Sequence, residues 1–268
     1  MTLTLYTATF ILVSFCGVVA LDAVTLFPHD GATSLTVIDD SLEEVSLAQQ
    51  AFFHGSPRTT IYISENGMVT FEDGFYGGIS HPLTKPWIAP SGADVVGNAG
   101  ELKYETFDTA GSTELTKASD LVNEVYTTDN FQASFVFVVT WYNVKIDNGN
   151  RVNTFQLALS SDSSTKRTYA IFLYENEIQW YPEEIGASAG DNTSFYHVCD
   201  VGYNGITSLR KKSNSQCGTE GVIVFRLDQS TWTQDGNMCT RVYRVLSCRA
   251  KPGIPETNRD LRCNANIS

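Results

Sequence analysis

Residues 133–180 read ASFVFVVTWYNVKIDNGNRVNTFQLALSSDSSTKRTYAIFLYENEIQW. Three strand-like runs follow one another here: Ala133–Val144, Asn153–Asp162 and Arg167–Trp180. Each is rich in Val, Phe, Tyr, Thr and Ile, the residues that suit a pleated, buried surface. The polar breaks Asp147-Asn148-Gly149-Asn150 and Ser161–Lys166 are short enough to turn a chain back on itself, so the stretch predicts a buried antiparallel sheet.

Working outward, Thr59–Ser64 and Met68–Phe71 flank Glu65-Asn66-Gly67, and Asn-Gly between two apolar runs predicts a hairpin. Gly74–Gly100 reads as long loops with one short strand at Trp87-Ile88-Ala89, and Leu102–Thr106 as another short strand. Over Thr113–Tyr126, Leu115, Ala118, Leu121, Val122 and Val125 recur at helical spacing, with Ser112 or Thr113 as cap and Glu114 in the first turn. Val222–Leu227 is the last core strand. Leu21–Ser46 reads as an irregular lead-in and Ile185–Lys212 as loop-rich.

The first twenty residues are a targeting segment. Leu3–Ala20 is apolar and uncharged, and Val18-Val19-Ala20 offers the small residues a signal peptidase needs. The run is short for a membrane span and lacks flanking Lys or Arg; no later stretch is apolar enough to span. A secreted, soluble mature chain is therefore expected, divided into a signal peptide (1–20), a β domain (21–228) and a basic, Cys-containing tail (229–268). The net charge of −12 argues against nucleic acid, which needs basic patches. That charge is uneven. Residues 21–208 hold 8 Lys and Arg against 25 Asp and Glu, whereas residues 209–268 hold 10 against 5.

After loss of Cys16 with the signal peptide, Cys199, Cys217, Cys239, Cys248 and Cys263 remain, all in the last third. In an oxidising compartment these are disulfide candidates. Cys199 with Cys217 could staple a loop, and two of the other three could pair. The odd thiol stays free or links a second chain, which makes a disulfide-linked oligomer a candidate arrangement. Asn192-Thr193-Ser194 is a glycosylation sequon in a loop, and Asn192 is the expected acceptor; Asn266-Ile267-Ser268 is a second sequon at the chain end.

The ordered pieces resemble the nidogen-type extracellular (NIDO) domain family across roughly residues 26–228. Phe27-Pro28 resembles its opening. Ala51-Phe52-Phe53-His54-Gly55 and Thr60–Phe71 are similar to its hairpin, and Pro82-Leu83, Ile88-Ala89-Pro90 and Ala93-Asp94-Val95 to its central segment. Gly100 with Lys103–Thr106, then Val138–Val144, Asn153–Leu159 with Ser161-Asp162, and Ile178, Trp180 and Ala189-Gly190 continue the pattern in order. Ser91-Gly92 departs from it, standing where the family carries Phe-Trp, with Trp87 nearby as a candidate filler. The segment after Gly190 is shortened, and Cys199 and Cys217 lie outside the pattern. The EGF-like, sushi, AMOP and von Willebrand D modules of larger relatives do not occur in this chain, so roles housed in them do not transfer.

The expected fold is thus a mainly β, antiparallel sandwich-like NIDO domain with one packed helix and a short disulfide-tied tail. The resemblance implies an extracellular module that binds matrix or cell-surface proteins in cell–matrix or matrix–matrix adhesion. A glycan-binding β domain is one rival, and a covalent homo-oligomer with a structural role another.

No catalytic, metal or cofactor residue is expected. Gly186-Ala187-Ser188-Ala189-Gly190 matches G-x-S-x-G, but Pro182-Glu183-Glu184 precedes it and no helical pattern follows, so a turn is favoured over a hydrolase elbow. His29, His54, His81 and His197 show no zinc spacing. Asp147-Asn148-Gly149-Asn150 lacks the terminal Glu of a calcium loop. Asp39, Asp40, Glu43 and Glu44 could gather a cation, although a solvated acidic stretch is commoner. Arg210-Lys211-Lys212, Arg241, Arg244, Arg249 and Lys251 could meet an acidic glycan, with charge balance against the acidic domain the favoured reading.

Overall fold

The computed structural model describes residues 24–36, 38–72, 84–96, 100–146, 150–179, 184–198, 209–214, 218–232 and 243–244. All lie in the compact unit Leu21–Val245; the other unit, Met1–Ala20 with Leu246–Ser268, falls outside them. The signal-peptide reading, all five mature cysteines and the disulfide-tied tail therefore lie outside the described residues.

Among the described residues two sheets and one α-helix build the domain. The strands are β1 (Thr33–Leu35), β2 (Leu42–Phe53), β3 (Ser56–Ser64), β4 (Met68–Thr70), β5 (Pro86–Gly92), β6 (Glu101–Phe107), β7 (Phe135–Val144), β8 (Asn153–Asp162), β9 (Arg167–Leu173), β10 (Glu184–Ala189), β11 (Phe195–His197), β12 (Lys212–Ser213), β13 (Val222–Arg226) and β14 (Tyr243–Arg244), with α1 (Thr113–Val125) between β6 and β7. The larger sheet runs β1-β6-β7-β8-β9-β13-β12-β14 and the smaller β11-β10-β5-β4-β3-β2. Among the described residues every strand pairing is antiparallel except β12 with β13.

The run that opened the sequence reading is continuous rather than alternating because its sheet is covered on both sides. Phe135, Phe137, Val139 and Trp141 of β7 face the second sheet, with Phe155, Leu157 and Leu159 of β8 and Ile61, Ile63, Val69 and Ile88 opposite. The intervening Val136 and Val138 face Leu115, Ala118, Leu121 and Val122 of α1. Trp141 stacks on Phe155 at 5.2 Å and donates from Nε1 to the Ser64 carbonyl at 3.0 Å, tying the sheets together. Buried Gln156 clamps the amino-terminal segment onto the helix side. Its Oε1 accepts from Phe27 N at 2.8 Å, and its Nε2 donates to Phe27 O and to Thr140 Oγ1.

Several boundaries differ from the expectation. The lead-in Leu21–Ser46 contains β1 and the start of β2, because Val45, Leu47, Ala51 and Phe53 alternate inward from an otherwise polar strand. The loop-rich stretch contains β10 and β11, whose Gly-Ala-Ser-Ala sequence has low strand preference and is recruited by pairing with β5. Beyond Asp228 the short β14 pairs with β12. Trp232 also packs beyond Asp228, buried against Phe53 and stacked on Tyr196 at 4.9 Å.

The family's Phe-Trp position is filled differently here. Ser91 is buried, and its hydroxyl has no hydrogen-bond partner among the described residues. Trp87 is buried with Met68 and Ala89 in its own small cluster.

Candidate interaction surface

The β3–β4 turn is where the expected hairpin forms, with Ser64 opposite Met68 and Ile63 opposite Val69. Gly67 is required there: its φ is +75°, and a Cβ would lie 2.1 Å from the Ser91 carbonyl. Unlike most turns, this one is buried. Asn66 is held by the Ala93-Asp94-Val95 segment, whose Ala93 N donates to Asn66 O at 3.2 Å and Val95 N to Asn66 Oδ1 at 2.8 Å. Two of the sequence pieces that resembled the family therefore sit directly against each other.

Glu65 is the unusual member of this turn. Only 1 % of its surface is exposed, and Oε1 has no hydrogen-bond partner among the described residues. Its Oε2 accepts from Ser41 Oγ at 3.2 Å and Ser64 Oγ at 3.4 Å. Burial pushes its carboxyl up to about 7; hydrogen bonds from its own backbone, Ser41 and Asp40 offset only part of this, and the Asp40 charge adds to the rise. Over it lies the β1–β2 loop, with Ile38 56 % exposed and Asp39 and Asp40 exposed. Glu65 was legible only as a turn residue, because its burial comes from segments remote in the chain.

Asn192 sits at the tip of the β10–β11 turn, exposed, with φ 63°. The preceding Asp191 shapes the turn: its Oδ1 accepts from Thr193 N at 2.8 Å and Ser194 N at 2.6 Å, and its Oδ2 from Ser194 Oγ at 2.8 Å. Burial raises the Asp191 carboxyl, but these hydrogen bonds outweigh it and hold the group well below the usual carboxylate range. His54 Nε2 lies 3.6 Å from Asp191 Oδ2.

Ser188 lies in mid-strand, opposite Trp87 and Phe195, and its hydroxyl accepts from Gly190 N at 3.1 Å. The strained strand-to-helix elbow of a hydrolase is replaced by a β ladder. His29 Nδ1 is 3.2 Å from the Phe27 carbonyl oxygen, and His197 Nδ1 is 3.4 Å from Glu184 Oε1. His81 and Asp147–Gly149 lie outside the described residues. Among the described residues no three His, Cys, Asp or Glu side chains gather as a metal site, and no helix is long and apolar enough to cross a membrane. Within the basic run Arg210-Lys211-Lys212, Lys211 pairs with Glu177 at 3.8 Å.

The two facing sheets define a β-sandwich module, and residues 59–229 match the nidogen-like domain family model; the chain belongs to that family. Among curated proteins it is similar to mouse alpha-tectorin, at 38% identity over 180 residues covering 63% of this chain and 8% of that protein. It is also similar to Drosophila melanogaster nidogen, at 28% identity over 202 residues, covering 68% of this chain and 15% of that protein. Mouse mucin-4 matches at 25% identity over 201 residues, covering 64% of this chain and 6% of the mucin. The chain thus spans a small fraction of the length of these relatives. No solved structure matches it.

Proposed function

We propose that this protein is a secreted extracellular-matrix interaction module that acts in cell–matrix or matrix–matrix adhesion by binding proteins. The observation that carries the reading is membership of the nidogen-like family, whose relatives nidogen and alpha-tectorin are extracellular-matrix proteins. In this reading residues 1–20 are cleaved as a signal peptide, Cys199, Cys217, Cys239, Cys248 and Cys263 form disulfides, the odd one free or linking a second chain, and Asn192 carries a glycan. The exposed left-handed turn at Asn192 supports the last assignment, because a bulky glycan there meets solvent. In this reading the role is binding rather than catalysis; Ser188 stands in a β ladder and not at a strand-to-helix elbow.

Retention of the purified secreted protein on native extracellular matrix at physiological salt tests the function. Selective retention that survives excess free sugar is expected. Elution by the sugar would favour the glycan-binding rival, and passage like an inert control would end the adhesion reading. Secretion is checked separately. The medium should contain a chain that loses one glycan's mass on enzymatic deglycosylation, and Asn192→Gln should remove that loss.

A further inference from the structure

The stretch from Leu21 to Pro57 contains no Lys or Arg at all. Its carboxylates Asp30, Asp39, Asp40, Glu43 and Glu44 have no ion-pair partner among the described residues. Four of them follow in quick succession from the β1–β2 loop into β2, and Asp39, Asp40 and Glu44 are exposed. Acidic side chains in a row are commonly only a solvated face. Three further observations set this row apart.

First, the buried Glu65 carboxyl lies directly beneath the loop, hydrogen-bonded to Ser41, with one oxygen unpartnered and Asp40 as its charged neighbour. A buried carboxylate that lacks both a cation and a full set of donors is costly to keep. Second, Ile38 is the one large hydrophobic residue exposed among the described residues, and it stands beside Asp39. Third, β2 is the outer strand of its sheet and pairs only with β3. From Leu42 to Ser46, the run in register with β3, the outward backbone groups have no partner among the described residues, whereas Leu47–Gln50 lie in a register shift, the Gln49 side chain donates to Ser134 O at 3.3 Å, and Phe52 N is closed off by Thr168 Oγ1 at 2.8 Å. An open strand edge accepts an extended segment through main-chain hydrogen bonds, and the side chains beside it choose the segment.

We propose that residues 38–41 and the open edge of β2 over Leu42–Ser46 form a docking surface for an extended, basic segment of a partner protein, which adds as a strand beside β2. Lys or Arg at alternate positions meets the acidic row, and an apolar residue covers Ile38. A second copy of this chain fits less well, because it brings the same uncompensated negative charge to the contact. The surface is the contact site implied by the adhesion role above, and the inference rests on that reading for its biological setting but not for its chemistry.

The test uses the full secreted chain and a blocked peptide of about ten residues alternating Lys and Val, a pattern that presents cations on one side of a strand. At physiological salt the peptide should bind and shift backbone amide signals confined to residues 38–46. The four-site variant D39N/D40N/E43Q/E44Q should weaken binding at least tenfold, while D108N/D120N, which removes two exposed carboxylates beside and on the helix, should leave it unchanged. A counterpart alternating Glu and Val should not bind.

Failure of the Lys-Val peptide to bind, or equal loss in both variants, overturns the proposal. So does a mass that doubles without peptide and reverts in the four-site variant, which makes a second copy the occupant. Calcium alone shifting the same amides would make the surface a cation site instead. Matrix retention separates the two readings. Retention of both wild type and the four-site variant removes the docking surface and leaves adhesion standing. Passage of wild type removes adhesion and leaves the peptide experiment to decide the surface.

Discussion

Glu65 shows how a single side chain can carry a cost that its neighbours do not relieve. Its carboxyl, ordinarily at 4.5, is pushed up to about 7 by burial. Between those two values the folded chain keeps a proton that the unfolded chain releases. Its contribution is therefore present in full below pH 4.5 and is lost as pH rises through 7. The loss amounts to about 3 kcal/mol at roughly 1.4 kcal/mol per unit. Glu65→Gln keeps an acceptor for Ser41 but cannot ionise. Denaturant unfolding of both proteins at pH 5 and pH 8 should show the variant gaining on wild type at the higher pH. An equal difference at both pH values would mean that Glu65 is not the titrating group. The neighbouring Asn66 and Gly67 illustrate the limit of local reading. Their hairpin was legible because Asn-Gly suits a tight turn, whereas their burial under Ala93–Val95 arises from a distant strand end.

At the scale of elements, α1 is the part read most directly from the chain. Its apolar spacing places Leu115, Ala118, Leu121 and Val122 on the face that meets the larger sheet. Of the two candidate caps, Ser112 is the one used: its Oγ accepts from Leu115 N at 3.3 Å, and its carbonyl from Thr116 N at 3.2 Å. Ser112→Ala should cost about 1 kcal/mol in thermal or denaturant unfolding, and Thr113→Ala should cost clearly less. The reverse order would assign the cap to Thr113. Strand β2 is the opposite case. Its outward residues Glu44, Ser46, Ala48 and Gln50 are polar or small, so its weak alternation is hidden in composition until pairing with β3 reveals it.

Across the whole molecule, the two edges of the smaller sheet are joined at one end by Trp232, the last residue of the described segment 218–232. Trp232 is buried, edge-on to Phe53 of β2 at 5.3 Å and stacked on Tyr196 of β11, whose hydroxyl donates to Arg226 O at 3.0 Å. β2 and β11 are the two outer strands of the smaller sheet, so Trp232 bridges its opposite edges. Trp232→Ala should destabilise the domain by about 3–5 kcal/mol, the usual loss for emptying a buried aromatic site. Trp232→Phe should recover most of it, since the indole Nε1 has no hydrogen-bond partner among the described residues. Unfolding midpoints for both variants check this, and near-wild-type stability of the alanine variant would show that Trp232 only covers the surface.

What the amino-acid order determined by itself is the class: strand-rich runs with turn chemistry between them, one amphipathic helix, and a family pattern spread in sequence over most of the chain. These signals are local, set by side-chain shape and by periods of two and about 3.6 residues. Only the tertiary structure decided that the larger sheet is buried on both faces, that β2 ends a sheet with its edge open, and that Glu65 lies buried beneath an acidic loop. Each of those depends on which distant segments meet, as Ser41 meets Glu65 and Trp232 meets Phe53, and pairing across such separations leaves no trace in the neighbouring residues of either partner.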